Sequence, residues 1–262
     1  MTYQRLNRRL LAAPLALAVA ACAGSDNPTA LADLETAVEF EVSAAEIQTL
    51  EEVEFHIHVE ERGMHLDLLQ AELAIRHAGG EAIRTVALEQ EGDEYRARVT
   101  FFEPGEHHVH VMGMPRGHGV MGEMGEFEVD VARRHEDIGP YWVEIATSPA
   151  GPLLEGQEAH IHIFVFDLLA DGARGAPVTG LEFVAEMHHP HGTEMMLEVV
   201  EEAEGEYECD YTFSTAGIYE LHVEIEVGAE EVSGEFHIPV FSPDADEPET
   251  QDDTGGHGHG DG

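Results

Sequence analysis

The feature that most constrains this chain is an internal repeat with a period of about 100 residues. Phe55-His56-Ile57-His58-Val59 matches Ala159-His160-Ile161-His162-Ile163 at a shift of 104 positions. Glu94-Tyr95, Pro104-Gly105 and His110-Val111 match Glu206-Tyr207, Ala216-Gly217 and His222-Val223 at a shift of 112. Glu126-Phe127-Glu128-Val129 then matches Glu235-Phe236-His237-Ile238 at a shift of 109. Matches that hold locally while the offset drifts place insertions in loops, so the chain must be two copies of one domain.

Within each copy, short segments alternate apolar and polar residues between Gly, Pro and Asp, and helical periodicity is scarce. Tyr95-Arg96-Ala97-Arg98-Val99-Thr100-Phe101 has its apolar residues at odd positions, which gives a strand one core face and one wet face. Many short strands of this kind predict an all-β fold of two tandem antiparallel β-sandwiches. The expected boundaries are 38–132 for the first domain and 139–241 for the second. The short linker around Arg133-Arg134-His135-Glu136-Asp137-Ile138-Gly139-Pro140 should leave the domains end to end with limited freedom.

Charge removes several classes of function. The 262 residues hold 54 Asp+Glu against 12 Lys+Arg, a formal charge of −42, and every basic residue is Arg. A nucleic-acid binder that neutralises phosphates is excluded, as are Schiff-base chemistry and a P-loop lysine. The acid excess attracts cations and carries self-repulsion that bound metal or salt would relieve.

The start of the chain reads as an export signal over residues 1–21, with Arg5, Arg8 and Arg9 ahead of an apolar stretch too short to span a bilayer. It ends Val19-Ala20-Ala21-Cys22, which resembles the lipobox of bacterial lipoproteins. That resemblance implies cleavage before Cys22, lipid on its sulfur and an extracytoplasmic, periplasm-facing protein anchored in the membrane. Ala23 in place of aspartate favours the outer membrane where there is one. Residues 22–37 read as a tether, and the acidic Gly/His tail at 242–262 cannot form a core and is expected to be disordered. Its His257 and His259 are weak metal candidates on compositional grounds alone. With Cys22 lipidated, Cys209 has no partner, and its alternation with Tyr207, Tyr211 and Phe213 makes it a buried free thiol.

The second copy runs through Ala176-Pro177-Val178, Ala185-Glu186-Met187-His188-His189-Pro190-His191-Gly192, Gly205-Glu206-Tyr207 and Ala216-Gly217-Ile218-Tyr219. This resembles the YtkA-like/FixH-like periplasmic domains over most of residues 150–228. The first copy shares Gly92-Asp93-Glu94-Tyr95 and Glu103-Pro104-Gly105 but lacks the Gly-x-Pro-Val element. The resemblance implies that the two tandem antiparallel β-sandwiches are immunoglobulin-like (cupredoxin-like) and, for several members, copper handling or oxidase assembly. Turn and core signatures of this sort specify fold better than activity.

The candidate chemistry lies in clustered His and Met, of which there are 18 and 9. The run from His108 through Met124 leaves a strand and enters a Gly-rich loop. Alternation puts His108, His110 and Met112 on one face, and the loop adds Met114, His118, Met121 and Met124. Thioether with imidazole suits Cu(I), while the other reading is an adaptable Met patch for protein contact. A second cluster, Met187, His188, His189 and His191, sits at a Pro-bent loop, where ligation of copper or zinc competes with simple solvation. Weaker candidates are the duplicated pairs His56/His58 and His160/His162, whose imidazoles should face outward or toward the partner domain and share one metal only if a third ligand joins, the equal alternative being polar outward strand positions preserved by duplication.

No Gly-x-Ser-x-Gly elbow, His-Glu-x-x-His helix, paired CxxC or phosphate loop occurs, so no enzymatic activity is expected. The sequence points first to a lipid-anchored metal-binding protein that holds or delivers copper, with a metalloprotein or transporter as partner. The alternative is a tethered immunoglobulin-like interaction module without a metal role.

Overall fold

The computed structural model describes residues 36–80, 82–227 and 230–243. The signal segment, Cys22, nearly all of the tether and all but the first two residues of the tail, including His257 and His259, lie outside the described residues.

The first half forms ten strands: β1 (Thr36–Val42), β2 (Ile47–Gln48), β3 (Glu52–Glu61), β4 (Met64–His65), β5 (Leu68–His77), β6 (Arg84–Ala87), β7 (Glu89–Glu91), β8 (Glu94–Thr100), β9 (Gly105–Pro115) and β10 (Gly122–Ala132). The second half adds β11 (His135–Ile138), β12 (Tyr141–Ser148), β13 (Leu153–Leu154), β14 (Glu158–Leu168), β15 (Arg174–Pro177) and β16 (Phe183–His188). It ends with β17 (Glu194–Leu197), β18 (Val200–Ala203), β19 (Glu206–Thr212), β20 (Gly217–Val227) and β21 (Glu230–Phe241). No helix occurs among the described residues.

The chain is all-β, two tandem immunoglobulin-like sandwiches. In the first, the sheet β1-β3-β8-β7 faces the sheet β2-β10-β9-β5-β6; in the second, β11-β12-β14-β19-β18 faces β13-β21-β20-β16-β17. Two features recur in both copies. One early strand pairs antiparallel in the first sheet, and a two-residue strand after it pairs parallel with the last strand of the other sheet, β2 with β10 and β13 with β21. Strand residues alternate between faces, so Phe55, Ile57, Val59, Val109 and Val111 fill the first core and Ile161, Ile163, Leu221, Val223 and Phe236 the second.

The tyrosines that follow Gly92 and Gly205, Tyr95 and Tyr207, are structural anchors. The Tyr95 hydroxyl accepts the Leu68 N–H at 2.7 Å and donates to the Leu66 carbonyl at 2.9 Å; Tyr207 does the same with Leu181 and Val178, both at 3.1 Å. Tyr219 forms a further corner, its hydroxyl bonding the N–H and carbonyl of Thr215 at 3.2 Å while its ring meets Phe213 edge-on. In the first copy that position holds His107, packed edge-on against Phe101.

The linker is not irregular. His135–Ile138 is β11, paired antiparallel with β12, because Ile138 is apolar and buries fully. Leu50 and Phe102 from the first half pack with the second core, and Arg134 donates its backbone N–H to Thr49 Oγ1 at 2.9 Å.

Candidate metal-binding faces

Because the inward positions between the motif histidines on β3, β9 and β14 are apolar, those histidines are left on the outward faces. There they meet carboxylates from neighbouring strands. On β3, His56 Nδ1 lies 3.0 Å from Glu94 and His58 Nε2 3.5 Å from the same carboxylate. Burial works to raise the Glu94 carboxyl, but hydrogen bonds from Arg96 and the charge of His56 hold it below the usual range. On β14, His160 Nδ1 lies 2.6 Å from Asp210 and His162 Nδ1 3.2 Å from Glu206. Both His-x-His pairs thus meet carboxylates of the neighbouring strand, a single one shared with Arg96 in the first copy and three in the second. Since β3 and β9 belong to opposite sheets, His56 and His58 are separated from His110 by the core.

The long Met/His run divides. His108, His110, Met112 and Met114 share the outward face of β9, where the register sets Glu126 opposite His110 and Glu123 opposite Met112. His108 Nδ1 is 3.1 Å from Glu126, and His110 Nδ1 is 3.4 Å from Glu123. His118 and Met121 lie beyond the strand end, half-buried, with His118 Nδ1 shielded and without a hydrogen-bond partner. Met124 does not join them. A β-bulge between Glu123 and Gly125 turns it inward, where it is 4% exposed and lies over Gly113, at which a side chain would meet Met124 Cγ and Leu68. An inserted residue reverses the facing of its neighbour, and sequence alternation does not reveal it.

The second cluster also divides. Met187 is fully buried in the second core. His188 ends β16 on the outward face. His189 turns the other way, its ring against Tyr219 and its Nε2 3.0 Å from Ser214 Oγ. His191 is exposed, with its ring 5.2 Å from that of His189. The ring that His188 does meet is His222, stacked at 4.1 Å with an 11° interplanar angle. Glu220, His222 and His237 are residues that the sequence pattern did not single out. The signal was present, since His222 is the counterpart of His110 in the repeat.

Cys209 is a free, buried thiol. Burial, reinforced by Asp210 and Glu208, pushes it up to about 12, which removes it as a nucleophile or thiolate ligand at neutral pH.

Residues 144–235 are similar to the Filamin/ABP280 repeat, an immunoglobulin-like unit. No curated protein matches the sequence. Among solved structures, the chain resembles FdeC, an Escherichia coli adhesin, at 18% identity over 78% of this chain and 64% of that one, with a TM-score of 0.29. It resembles Salmonella alpha-2-macroglobulin at 14% identity over 78% of this chain and 15% of that one, with a TM-score of 0.30. Tandem Ig domains of titin give 14% identity over 75% and 91% of the two chains, with a TM-score of 0.22. The chain therefore spans less than two thirds of the first two, and scores this low describe neither a common domain arrangement nor a common activity.

Proposed function

We propose that this chain is a tandem immunoglobulin-like interaction module, exported, held at a membrane by lipid on Cys22, and without catalytic activity. The observation that carries the reading is the similarity of residues 144–235 to the Filamin/ABP280 repeat together with the same sandwich built twice. Two filled cores leave recognition to the outward faces and exposed loops, and those faces carry paired carboxylates and imidazoles. The resemblance of the second copy to YtkA-like domains supports placing the chain outside the cytoplasm.

Copper handling is the second reading, favoured by one observation: His108, His110, Met112 and Met114 form a single row on β9, a donor set suited to Cu(I).

Two measurements on the full chain separate these readings. Metabolic labelling with an alkyne fatty acid should mark the protein and disappear in Cys22→Ser. A photoreactive residue at exposed Met64, Val184 or Met195 should give a discrete cross-linked protein in intact cells from at least one position. If none of the three does so and anaerobic titration shows Cu(I) uptake lost in the Met112→Ala/Met114→Ala variant, the copper reading replaces the interaction module.

A further inference from the structure

One sheet face of the second domain carries more than scattered pairs. In the register of β16 with β20, His188 stands opposite Glu220 and Glu186 opposite His222. In the register of β20 with β21, Glu220 stands opposite His237 and His222 opposite Glu235. All six side chains point outward because Met187, Leu221, Phe236 and Ile238 between them are fully buried. The result is a checkerboard of imidazole and carboxylate on three adjacent strands.

Its centre is the stacked pair His188 and His222. The Nε2 atoms of both are shielded from solvent and make no hydrogen bond. The nearest carboxylate oxygens stand at 3.5 Å from His188 (Glu186) and at 3.5 and 3.8 Å from His222 (Glu235 and Glu220), without hydrogen-bond alignment. Ligand atoms of His188, Glu220 and His222 all lie within 4.8 Å of one another. A second trio of Glu220, Glu235 and His237 shares Glu220 with the first, and His237 is held by Glu235 at 2.8 Å. An imidazole nitrogen binds a metal in its own ring plane, so a divalent ion shared by His188 and His222 would turn the rings out of their stack, satisfy both shielded nitrogens and offset the charge of the surrounding acids. Ligands at about 2.1 Å from a tetrahedral ion stand roughly 3.4 Å apart, and Glu220 already lies 3.8 Å from His222 Nε2.

The duplication supplies a matched control. In the first domain the same rows read Arg76, His108, Glu128 and Ala74, His110, Glu126. His110 and Glu126 take the places of His222 and Glu235, but Arg76, a fixed cation, stands where His188 stands, and Ala74 replaces Glu186. His108 takes the place of Glu220, so the first domain also carries two imidazoles, but it lacks both the imidazole of His188 and the carboxylate of Glu220.

We propose that the second domain binds one divalent transition-metal ion, with Zn(II) the best chemical fit, on the outward face of β16 and β20 through His188, His222 and Glu220. Glu235 positions His222 and His237 beside it. Two imidazoles and a carboxylate are the donor set of such ions, and outer carboxylates of this kind orient ligand imidazoles. The proposal goes beyond the interaction module and is independent of the copper reading, whose row lies on the first domain.

The test is Zn(II) titration of the full chain against a competing colorimetric chelator, in a His257→Ala/His259→Ala background that removes the tail imidazoles. One equivalent should bind, and affinity should fall at least tenfold in His188→Asn and in His222→Gln while His108→Ala/His110→Ala leaves it unchanged. Co(II) should give a visible tetrahedral spectrum that the same two variants abolish. Arg76→His should add a second equivalent on the first domain, a gain that does not depend on any variant losing stability. Binding unaffected by His188→Asn and His222→Gln, binding that disappears already in the tail background, or binding that follows His108 and His110 would each overturn the site.

Discussion

At the scale of single residues, the two copies differ most usefully at one buried position. Tyr219 closes its corner with a phenol hydroxyl, whereas the equivalent His107 is 5% exposed and its imidazole is held below the usual histidine range, first by burial and then by His77 and Arg84. The Gly105 carbonyl and Glu103 act the other way without reversing the shift. With the folded value depressed, the unfolded chain binds a proton that the folded one refuses. Stability therefore rises with pH between the folded value and about 6.5, and is lost as pH falls through that window, with a limiting slope of about 1.4 kcal/mol per pH unit. His107→Tyr, which copies the second domain, should flatten this acid limb. Hydrogen exchange at the β9 amides, compared at pH 7.5 and 5.5, measures it, and equal pH dependence in both proteins would rule the account out. Asp67 and Glu94, whose carboxyls are also held low, add an acid loss of their own but contribute equally to both proteins and cancel in the comparison.

At the scale of elements, Tyr95 and Tyr207 tie the stretch before β5 and β16 to β8 and β19. Removing either hydroxyl leaves an N–H and a carbonyl unpaired near the core, so Tyr95→Phe or Tyr207→Phe should destabilise its own domain by about 1–3 kcal/mol. Chemical denaturation of the full chain would read this, and a loss shared equally by both transitions would point instead to a coupled unfolding unit. The strands themselves were legible because each carries strict alternation, from Phe55/Ile57/Val59 to Ala159/Ile161/Ile163, and outward imidazoles followed from inward aliphatics. What alternation could not reveal was any departure from period two. The bulge at Glu123 to Gly125 carried Met124 into the core. Nor does a local pattern show which strands become neighbours. His188 and His222 stand 34 positions apart in the chain, and only the β16 and β20 register brings their rings together.

At the scale of the whole molecule, the formal charge of −42 outweighs every other electrostatic feature. Several of the described arginines sit in specific ion pairs: Arg116 with Asp67, Arg96 with Glu94, and Arg133 and Arg174 on the buried Glu144. The outward carboxylates of the sheets greatly outnumber them. At about 0.01 M salt the Debye length of ~30 Å lets those charges repel across a whole domain, and at about 1 M it shrinks to ~3 Å. Relief of that repulsion should raise the melting temperature of the full chain as NaCl increases, by about 4–8 °C for each kcal/mol gained per domain. A flat or falling melting temperature would show that the acidic faces are already neutralised within the fold. The same scan separates screening from ligation. Micromolar Zn(II) adds nothing to ionic strength, so a rise it produces at fixed NaCl reports binding linkage to the folded state. That rise should be confined to the transition of the second domain and vanish with His222→Gln, whereas the NaCl effect should survive the substitution and appear in both transitions.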